Sequence, residues 1–326
     1  MNQFEELKNV LPEIKENISL KDYSTFRIGG IAKYFLIAKN KEELKIAIKK
    51  AKELKIPFKL LGAGSNTLID SNGFDGLVIV FKSAPKSEDF IIQTENDFCV
   101  VQVEAPWPLF FLVKEAERNS LTGLEWAVMI PGTLGGAING NAGAFGQSIG
   151  EQVIEVEVLE INDDSIQEKV LQNQDCDFRY RFSVFKNNPN LLILSAKIKL
   201  KKGDEKAIKE QIKENLAHRQ GKHPKGFSVG SIFKNYAGEI SEAILNEYPD
   251  LKNMLSKGQV PAGYLIDQCG LKGKTIGGAK VSDEHANFII NNNNASSDDV
   301  LMLIDLIKKE VQNKFGIVLE EEIKKF

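Results

Sequence analysis

The chain has 326 residues, more than one hydrophobic core usually serves, so two or three domains are expected. A net charge of -3 without a basic block argues against nucleic acid or an anionic membrane as partner. The three cysteines, Cys99, Cys176 and Cys269, are far apart and lack metal-ligand spacing, which argues against a disulfide framework and for a reducing compartment.

The segment Met1–Lys15 alternates charged and apolar residues, with no apolar core ahead of a cleavage site, so it does not read as a signal peptide. No apolar stretch has the length needed to span a bilayer, and a soluble, cytoplasmic protein is expected. Residues 3–16 read as an amphipathic helix, with Phe4, Leu7, Leu11 and Ile14 on one face. A strand at Lys33–Ala38, a helix from Lys41 to Leu54, and strands at Phe58–Leu61 and Leu77–Phe81 make a small α/β unit. A second, α+β unit follows: strands at Phe90–Thr94 and Cys99–Glu104, a helix near Leu109–Asn119, then strands near Val153–Glu160, Glu168–Leu171 and Leu191–Leu200. A charged helix from Glu205 to Arg219 leads into a loop rich in Gly, Lys and Pro that opens a third domain. There, helices are expected near Glu239–Asn246 and Ala262–Gln268, and a longer one from Asp298 to Phe315, announced by the capping pair Ser296 and Asp299. The asparagines 291–294 read as a turn, since Asn tolerates left-handed backbone, and a strand at Ile317–Lys324 ends the chain.

Two glycine-rich loops stand out. The first, Leu61-Gly62-Ala63-Gly64-Ser65-Asn66, follows an apolar strand, where glycines let backbone N–H groups approach a phosphate and Ser65 and Asn66 can donate further bonds. It is a poor Rossmann fingerprint: Thr67 stands at the sixth position, and Asp70-Ser71-Asn72-Gly73 makes a turn where a helix should run. Taken alone it is also compatible with a tight turn that binds nothing. The second is denser: Ile130-Pro131-Gly132-Thr133-Leu134-Gly135-Gly136-Ala137, then Asn139-Gly140-Asn141-Ala142-Gly143-Ala144-Phe145-Gly146. Glycine is costly to order, so such a run suggests backbone pressed against something flat or anionic, such as a diphosphate or an isoalloxazine edge, although hairpins use glycine too. Two such loops in successive units imply a dinucleotide held between domains.

In order and spacing, these loops and several other stretches resemble the UDP-N-acetylenolpyruvoylglucosamine reductases of bacterial cell-wall synthesis. The stretches are Ser24-Thr25-Phe26-Arg27-Ile28-Gly29-Gly30, Tyr180-Arg181-Phe182-Ser183, Gly230-Ser231-Ile232-Phe233-Lys234-Asn235, the run from Pro261 to Gly273, and Leu319-Glu320-Glu321-Glu322-Ile323. The resemblance covers nearly the whole chain. It implies an α+β fold: a two-part FAD-binding module of the vanillyl-alcohol-oxidase type, residues 1–83 and 84–202, then an α+β substrate-binding domain, residues 203–326. The last strand would return a catalytic glutamate to the site. His218, His223 and His285 are the only histidines and lie outside the two expected flavin-binding units, so FAD is expected to be held without a covalent tether.

The activity implied is reduction of UDP-N-acetylglucosamine enolpyruvate to UDP-N-acetylmuramate, with NADPH as co-substrate. Hydride passes through FAD to the terminal CH₂, and a proton is delivered to the neighbouring carbon. Within the family pattern Arg181 stabilises the enolate-like charge on the substrate carboxylate, Glu322 hydrogen-bonds that carboxylate, and Ser231 donates the proton. A serine hydroxyl is a poor acid, so Lys222 or Lys234 would assist it. FAD is expected on Gly62, Ala63, Gly64, Ser65, Asn66 and Thr67, and on Pro131, Gly132, Thr133, Gly135, Gly136, Asn141, Ala142 and Gly143. Substrate is expected on Arg219, Lys222, Lys234, Asn235 and His285.

Without the resemblance, each of these residues has an ordinary reading: Arg181 as a surface or salt-bridged arginine, Ser231 and His285 as turn or cap residues, and 320–322 as a solvated edge. Three positions depart from the family pattern: Met129 replaces a glycine before Ile-Pro-Gly, Glu321 a proline beside the catalytic acid, and Tyr236 a proline after Lys-Asn. The first suggests a looser backbone before the second glycine loop. The stretch 237–260 is longer than in many members and reads as a lid or an added helix. Alternative readings are an FAD-dependent oxidase of an alcohol or sugar, which would leave Arg181, Ser231 and Glu322 without a shared purpose, and a flavin-free nucleotide-sugar binding protein. A monomer is expected, because no uncovered heptad or long apolar face appears.

Overall fold

The structure, a computed structural model, describes residues 2–95, 98–163, 165–219 and 224–326. The chain forms two compact units: Met1–Ile18, Lys33–Ala63 and Asp75–Gln220 make the first, and Ser19–Ala32, Gly64–Phe74 and Gly221–Phe326 the second. The division therefore does not follow the contiguous segments 1–83, 84–202 and 203–326. The helix Glu205–Arg219, expected in the last domain, belongs to the first unit, where Asn215 Nδ2 donates to the Glu125 carbonyl at 2.9 Å.

In the first unit the opening helix is Gln3–Val10, started by a capping box between Asn2 and Glu5. It stops short of the expected residue 16 because Pro12 disfavours helical geometry at the residue before it, and Leu11 leaves the helix at φ -131°. The chain instead enters a strand, Lys15–Ser19, at the edge of a sheet ordered Lys15–Ser19, Ile31–Ala38, Phe74–Phe81, Phe58–Leu61. The last two strands are parallel, Phe58 opposite Leu77. The helix Lys41–Glu53, capped by the Asn40 side chain, buries Leu44, Ala47, Ile48 and Ala51 at the four-residue spacing of one face. A larger antiparallel sheet runs in the order Ile166–Gln172, Val153–Ile161, Leu191–Lys202, Phe98–Glu104, Ile92–Glu95. Both sheets share one core, which includes Leu36, Ile79, Trp126, Val156 and Ile198.

The second unit is built on the helix Ser297–Phe315, whose capping box forms as expected: Ser296 Oγ accepts from Asp299 N at 3.1 Å and Asp299 Oδ2 from Ser296 N at 3.0 Å. Its buried face, Val300, Leu303, Ile304, Ile307 and Val311, packs with Phe26, Ile28, Leu68, Phe233, Leu265 and Leu319. A three-stranded antiparallel sheet, Thr275–Ile276, Ala279–Val281 and Ile289–Asn291, adds to it. The asparagine turn forms, with Asn294 left-handed at φ 50°.

The closing segment differs from the expected strand at Ile317–Lys324. Only Lys324–Lys325 pairs as a strand, parallel to Thr67–Leu68, and Glu321 bridges Phe233. Alternation survives, with Ile317, Leu319 and Ile323 buried, but backbone partners reach the segment at separate points and no continuous ladder forms. The stretch 237–260 holds two short helices, Glu242–Glu247 and Asp250–Ser256. Leu245 and Leu251 are buried in the unit's own core, and Tyr248 meets the Phe315 ring edge-on at 5.0 Å. It is a helical pair, closed at its base by reciprocal backbone bonds of 2.9 and 2.7 Å between Tyr236 and Val260.

Candidate active site

The first unit brings the second glycine loop, the start of the first, and Arg181 together. Thr133 caps the short helix Leu134–Gly140, its Oγ1 accepting from Gly136 N at 3.2 Å. A Cβ on Gly62 or on Gly136 would come to 3.4 or 3.5 Å from that same oxygen and meet nothing else within 4 Å among the described residues. Around Gly62, Thr133 and Gly136 the backbone is thus bare, the surface a flat or anionic group can approach. Gly135 has a different cause. A Cβ there would sit 2.9 Å from the Ala105 Cβ, and its N–H is already bonded to the Ala105 carbonyl at 2.8 Å. Part of the glycine density therefore serves close packing of the chain on itself.

Arg181 lies in a tight turn closed by two bonds, Arg179 N to Phe182 O at 3.1 Å and Phe182 N to Arg179 O at 3.0 Å. Its φ is 55°, left-handed, and its Nη2 donates to the Gly143 carbonyl at 2.8 Å. Ser183 Oγ donates to Asn139 O at 2.7 Å, and Asn141 Nδ2 to Arg179 O at 2.8 Å. Pro131, Gly132 and Ala142 belong to the same loop, with Leu109 N bonded to Gly132 O at 3.0 Å and Ala142 N to Ala137 O at 2.8 Å.

The second unit brings the rest of the first loop, Ser231 and Glu322 together. Glu322 N donates to Ile232 O at 2.8 Å, so Ser231 and Glu322 lie on adjoining segments. Asn66 Nδ2 donates to Glu322 O at 3.3 Å, Lys324 N to Asn66 O at 2.9 Å, and Thr67 pairs with Lys324. Gly64 is left-handed at φ 62°, and a Cβ on it would fall 2.1 Å from Tyr23 O; Ser65 follows it in the loop. Thr25, which the sequence reading did not single out as functional, ties this loop down, donating to Ser228 O at 2.7 Å, while Thr25 N bonds Gly64 O at 3.2 Å.

Among the expected substrate residues, Lys234 Nζ is 3.0 Å from Glu320 Oε2, and Asn235 Oδ1 accepts from Ala262 N at 3.2 Å at the start of the helix Ala262–Gln268. His285 Nδ1 accepts from Asn287 N at 3.2 Å within a turn, and its ring lies 4.8 Å from that of Phe288. Lys222, His223 and the Arg219 side chain lie outside the described residues. Glu320 and Glu321 point to opposite partners, Lys234 and Lys308, as neighbours on extended chain should. For Glu321, burial raises the carboxyl pKa, but hydrogen bonds and charge from Lys308 and Lys325 outweigh it and the net shift is downward. Cys176 is poorly suited to nucleophilic chemistry: burial, with Asp175 adding to it, pushes its thiol up to about 12.

Comparison with known proteins matches residues 32–168 to an FAD-binding domain family and residues 222–326 to the C-terminal domain of UDP-N-acetylenolpyruvoylglucosamine reductase. The chain is 36% identical over 313 residues to the UDP-N-acetylenolpyruvoylglucosamine reductase of Prochlorococcus marinus strain NATL2A, covering 96% of this chain and 97% of that one. It is 37% identical over 323 residues to the reductase of the same name from Caldanaerobacter subterraneus subsp. tengcongensis, covering 98% and 96%. This chain belongs to the UDP-N-acetylenolpyruvoylglucosamine reductase family. The crystal structure of the reductase from Thermus caldophilus agrees in fold, with a TM-score of 0.71 at 31% identity over 96% of this chain and 99% of that one.

The reductase family assignment puts an FAD-binding domain over both glycine loops and a separate α+β domain after it. The bare backbone at Gly62, Thr133 and Gly136 fits such a cofactor. The expected placement of His218 is not the one the structure shows. His218 does not lie apart from the flavin-binding region: it belongs to the first unit, and its ring meets that of Phe145, in the second glycine loop, edge-on at 5.3 Å. The helix Glu205–Arg219, assigned by sequence to the last domain, carries it there.

Proposed function

We propose that this protein reduces UDP-N-acetylglucosamine enolpyruvate to UDP-N-acetylmuramate with NADPH, using non-covalently bound FAD in a module of the vanillyl-alcohol-oxidase type. In this reading it works in the cytoplasm, as a monomer, in the making of peptidoglycan precursor. What carries the proposal is a likeness that runs the full length of reductases bearing that name. It is supported locally by the tie of Arg181 to the second glycine loop and by the adjoining of Ser231 and Glu322.

When bound, FAD would supply hydride chemistry, giving the terminal CH₂ of the enolpyruvyl group a hydride drawn from NADPH. As that bond forms, negative charge spreads from the ether-bearing carbon into the carboxylate. Arg181 meets this charge with a planar, permanently protonated fork suited to carboxylate. Glu322 hydrogen-bonds the same carboxylate, for which it must carry a proton or share the field of Arg181, since two bare anions would repel. Ser231 delivers a proton to the ether-bearing carbon, completing the lactyl ether, and takes one back from its surroundings. The bare backbone around Gly62, Thr133 and Gly136, with Ala63 next to Gly62, would hold the dinucleotide.

The test is anaerobic. NADPH should bleach the yellow protein, and the enolpyruvyl nucleotide should then restore the colour with formation of the lactyl ether. Bleaching without recolouring rejects the substrate, and a colourless protein that binds no flavin rejects the reading altogether.

A further inference from the structure

Asn141 sits within a run of backbone that invites assignment as cofactor contact, yet its side chain is turned into the protein. It is only 5% exposed and ends the helix Leu134–Gly140 in left-handed conformation, φ 43°. Its Nδ2 donates to the carbonyl of Arg179 at 2.8 Å, and its Oδ1 accepts from Gly150 N at 3.0 Å. One amide thus spans two other segments of the first unit. The Arg179 carbonyl it holds is also the one that closes the turn carrying Arg181, by accepting from Phe182 N at 3.0 Å.

We infer that Asn141 is a positioning residue that sets the Arg181 guanidinium, an inference that rests on the function proposed above. Arg181 is itself left-handed at φ 55°, a conformation that an arginine keeps only where its surroundings fix it. Its turn is clipped to 139–143 at three places: Asn141 to Arg179 O, Arg181 Nη2 to Gly143 O, and Ser183 Oγ to Asn139 O. With the Asn141 bond gone, the turn keeps its own two backbone bonds and its outer clips but loses the one in the middle. The guanidinium then samples positions away from the developing carboxylate charge. Only the step that needs that charge stabilised should suffer. Delivery of hydride from NADPH to the cofactor makes no such demand.

Two variants separate this role from cofactor binding and from a general structural role. Asn141→Gly keeps the left-handed backbone and removes both side-chain bonds. Asn141→Asp keeps the acceptor for Gly150 N and removes the donor to Arg179 O. In purified, FAD-loaded protein, both should retain flavin at the wild-type ratio and bleach with NADPH at a rate within about twofold of wild type. Recolouring by the enolpyruvyl nucleotide should slow roughly 10- to 100-fold, the scale of a small misplacement of a catalytic group. Should either variant fail to fold, the other decides.

Loss of flavin from folded variants would make Asn141 a cofactor contact and overturn the inference. So would recolouring at the wild-type rate, or equal slowing of both half-reactions. Wild-type protein that bleaches but never recolours would instead defeat the proposed function, and this inference with it.

Discussion

Glu321 stands where the resemblance led to an expectation of proline, and replacing it with glutamine tests what its carboxylate contributes. The carboxylate, 16% exposed, accepts from Lys308 Nζ at 2.6 Å and lies 2.9 Å from Lys325 Nζ; those lysine side chains are 33% and 55% exposed. Hydrogen bonds to charged groups contribute about 1.5–3 kcal/mol when enclosed, and exposed ion pairs about 0.2–1 kcal/mol. The Lys308 contact falls between these limits and the Lys325 contact near the lower one. Glutamine keeps the shape and one acceptor oxygen, so Glu321→Gln should cost about 1–2 kcal/mol at pH 7, or about 3–8 °C in Tm for a unit of this size.

The pH dependence follows from the sign of the shift. Despite the opposing effect of burial, Lys308 and Lys325 leave the carboxyl pKa lowered in the folded protein. The folded state therefore binds fewer protons here than the unfolded state, and the stabilisation is fully present above the unfolded value of about 4.3. It is lost as pH falls through the lower, folded value. Thermal unfolding of the FAD-loaded protein, followed by circular dichroism, should show a constant gap between wild type and Glu321→Gln from pH 6 to 8. The gap should close below about pH 4. A double-mutant cycle with Lys308→Met should return a coupling of at least about 0.5 kcal/mol. No gap at pH 7, a gap that persists undiminished in acid, or zero coupling would refute the reasoning.

Ser231→Ala should leave NADPH bleaching intact and slow recolouring by about 10²–10⁴-fold, read by stopped-flow absorbance; slowing of both steps would remove Ser231 from the proton-donor role. Gly64→Ala should fail to give stable protein, because the new Cβ falls 2.1 Å from Tyr23 O at a φ of 62°, as checked by soluble yield and Tm. Gly62→Ala, with Thr133 Oγ1 at 3.4 Å as its nearest neighbour, should fold but retain less flavin, measured as the ratio of absorbance at 450 to that at 280 nm. Native Cys176 should resist iodoacetamide at pH 8 and react once unfolded, since burial holds its thiol at about 12.

Signals local to a few residues were legible in the sequence. The helix expected from Lys41 to Leu54 forms at Lys41–Glu53, and the Ser296–Asp299 pair located the start of Ser297–Phe315. Where tertiary partners decide, the sequence was silent or misleading. Apolar spacing carried the first helix through to Ile14, while Pro12 ended it at Val10. Alternation in 317–324 described which side chains are buried but could not say that backbone partners would meet the segment only at points. The candidate site divides along the same line. The motifs pointed to Arg181, Ser231 and Glu322, whereas the bonds through Asn141, Ser183 and Thr25 join residues 38, 44 and 203 positions apart, separations no local pattern encodes. Ser183, two residues after Arg181 in the same motif, was the most accessible of these from sequence.

At the three positions read as departures from the family pattern, the backbone shows what each residue does in this chain. Met129 has φ 63°, the left-handed geometry glycine adopts most cheaply, so the chain before Ile130-Pro131-Gly132 keeps the conformation that glycine favours, and the expected loosening is not what the dihedral describes. Tyr236 uses its N–H to bond Val260 O at 2.9 Å, closing the base of the helical pair in 237–260. Proline has no such donor and could not close the pair in this way. At Glu321 the bridge to Phe233 is made by its neighbours, Lys234 N to Glu320 O at 2.9 Å and Glu322 N to Ile232 O at 2.8 Å. The N–H of residue 321 is not used by that bridge, so a proline there would cost it no donor. Here the side chain decides instead, and the pull of Lys308 and Lys325 on Glu321 secures the segment whose next residue is Glu322. Support of the carboxylate expected to act on substrate thus comes from an ion-paired side chain, and with it comes the acid sensitivity worked out above.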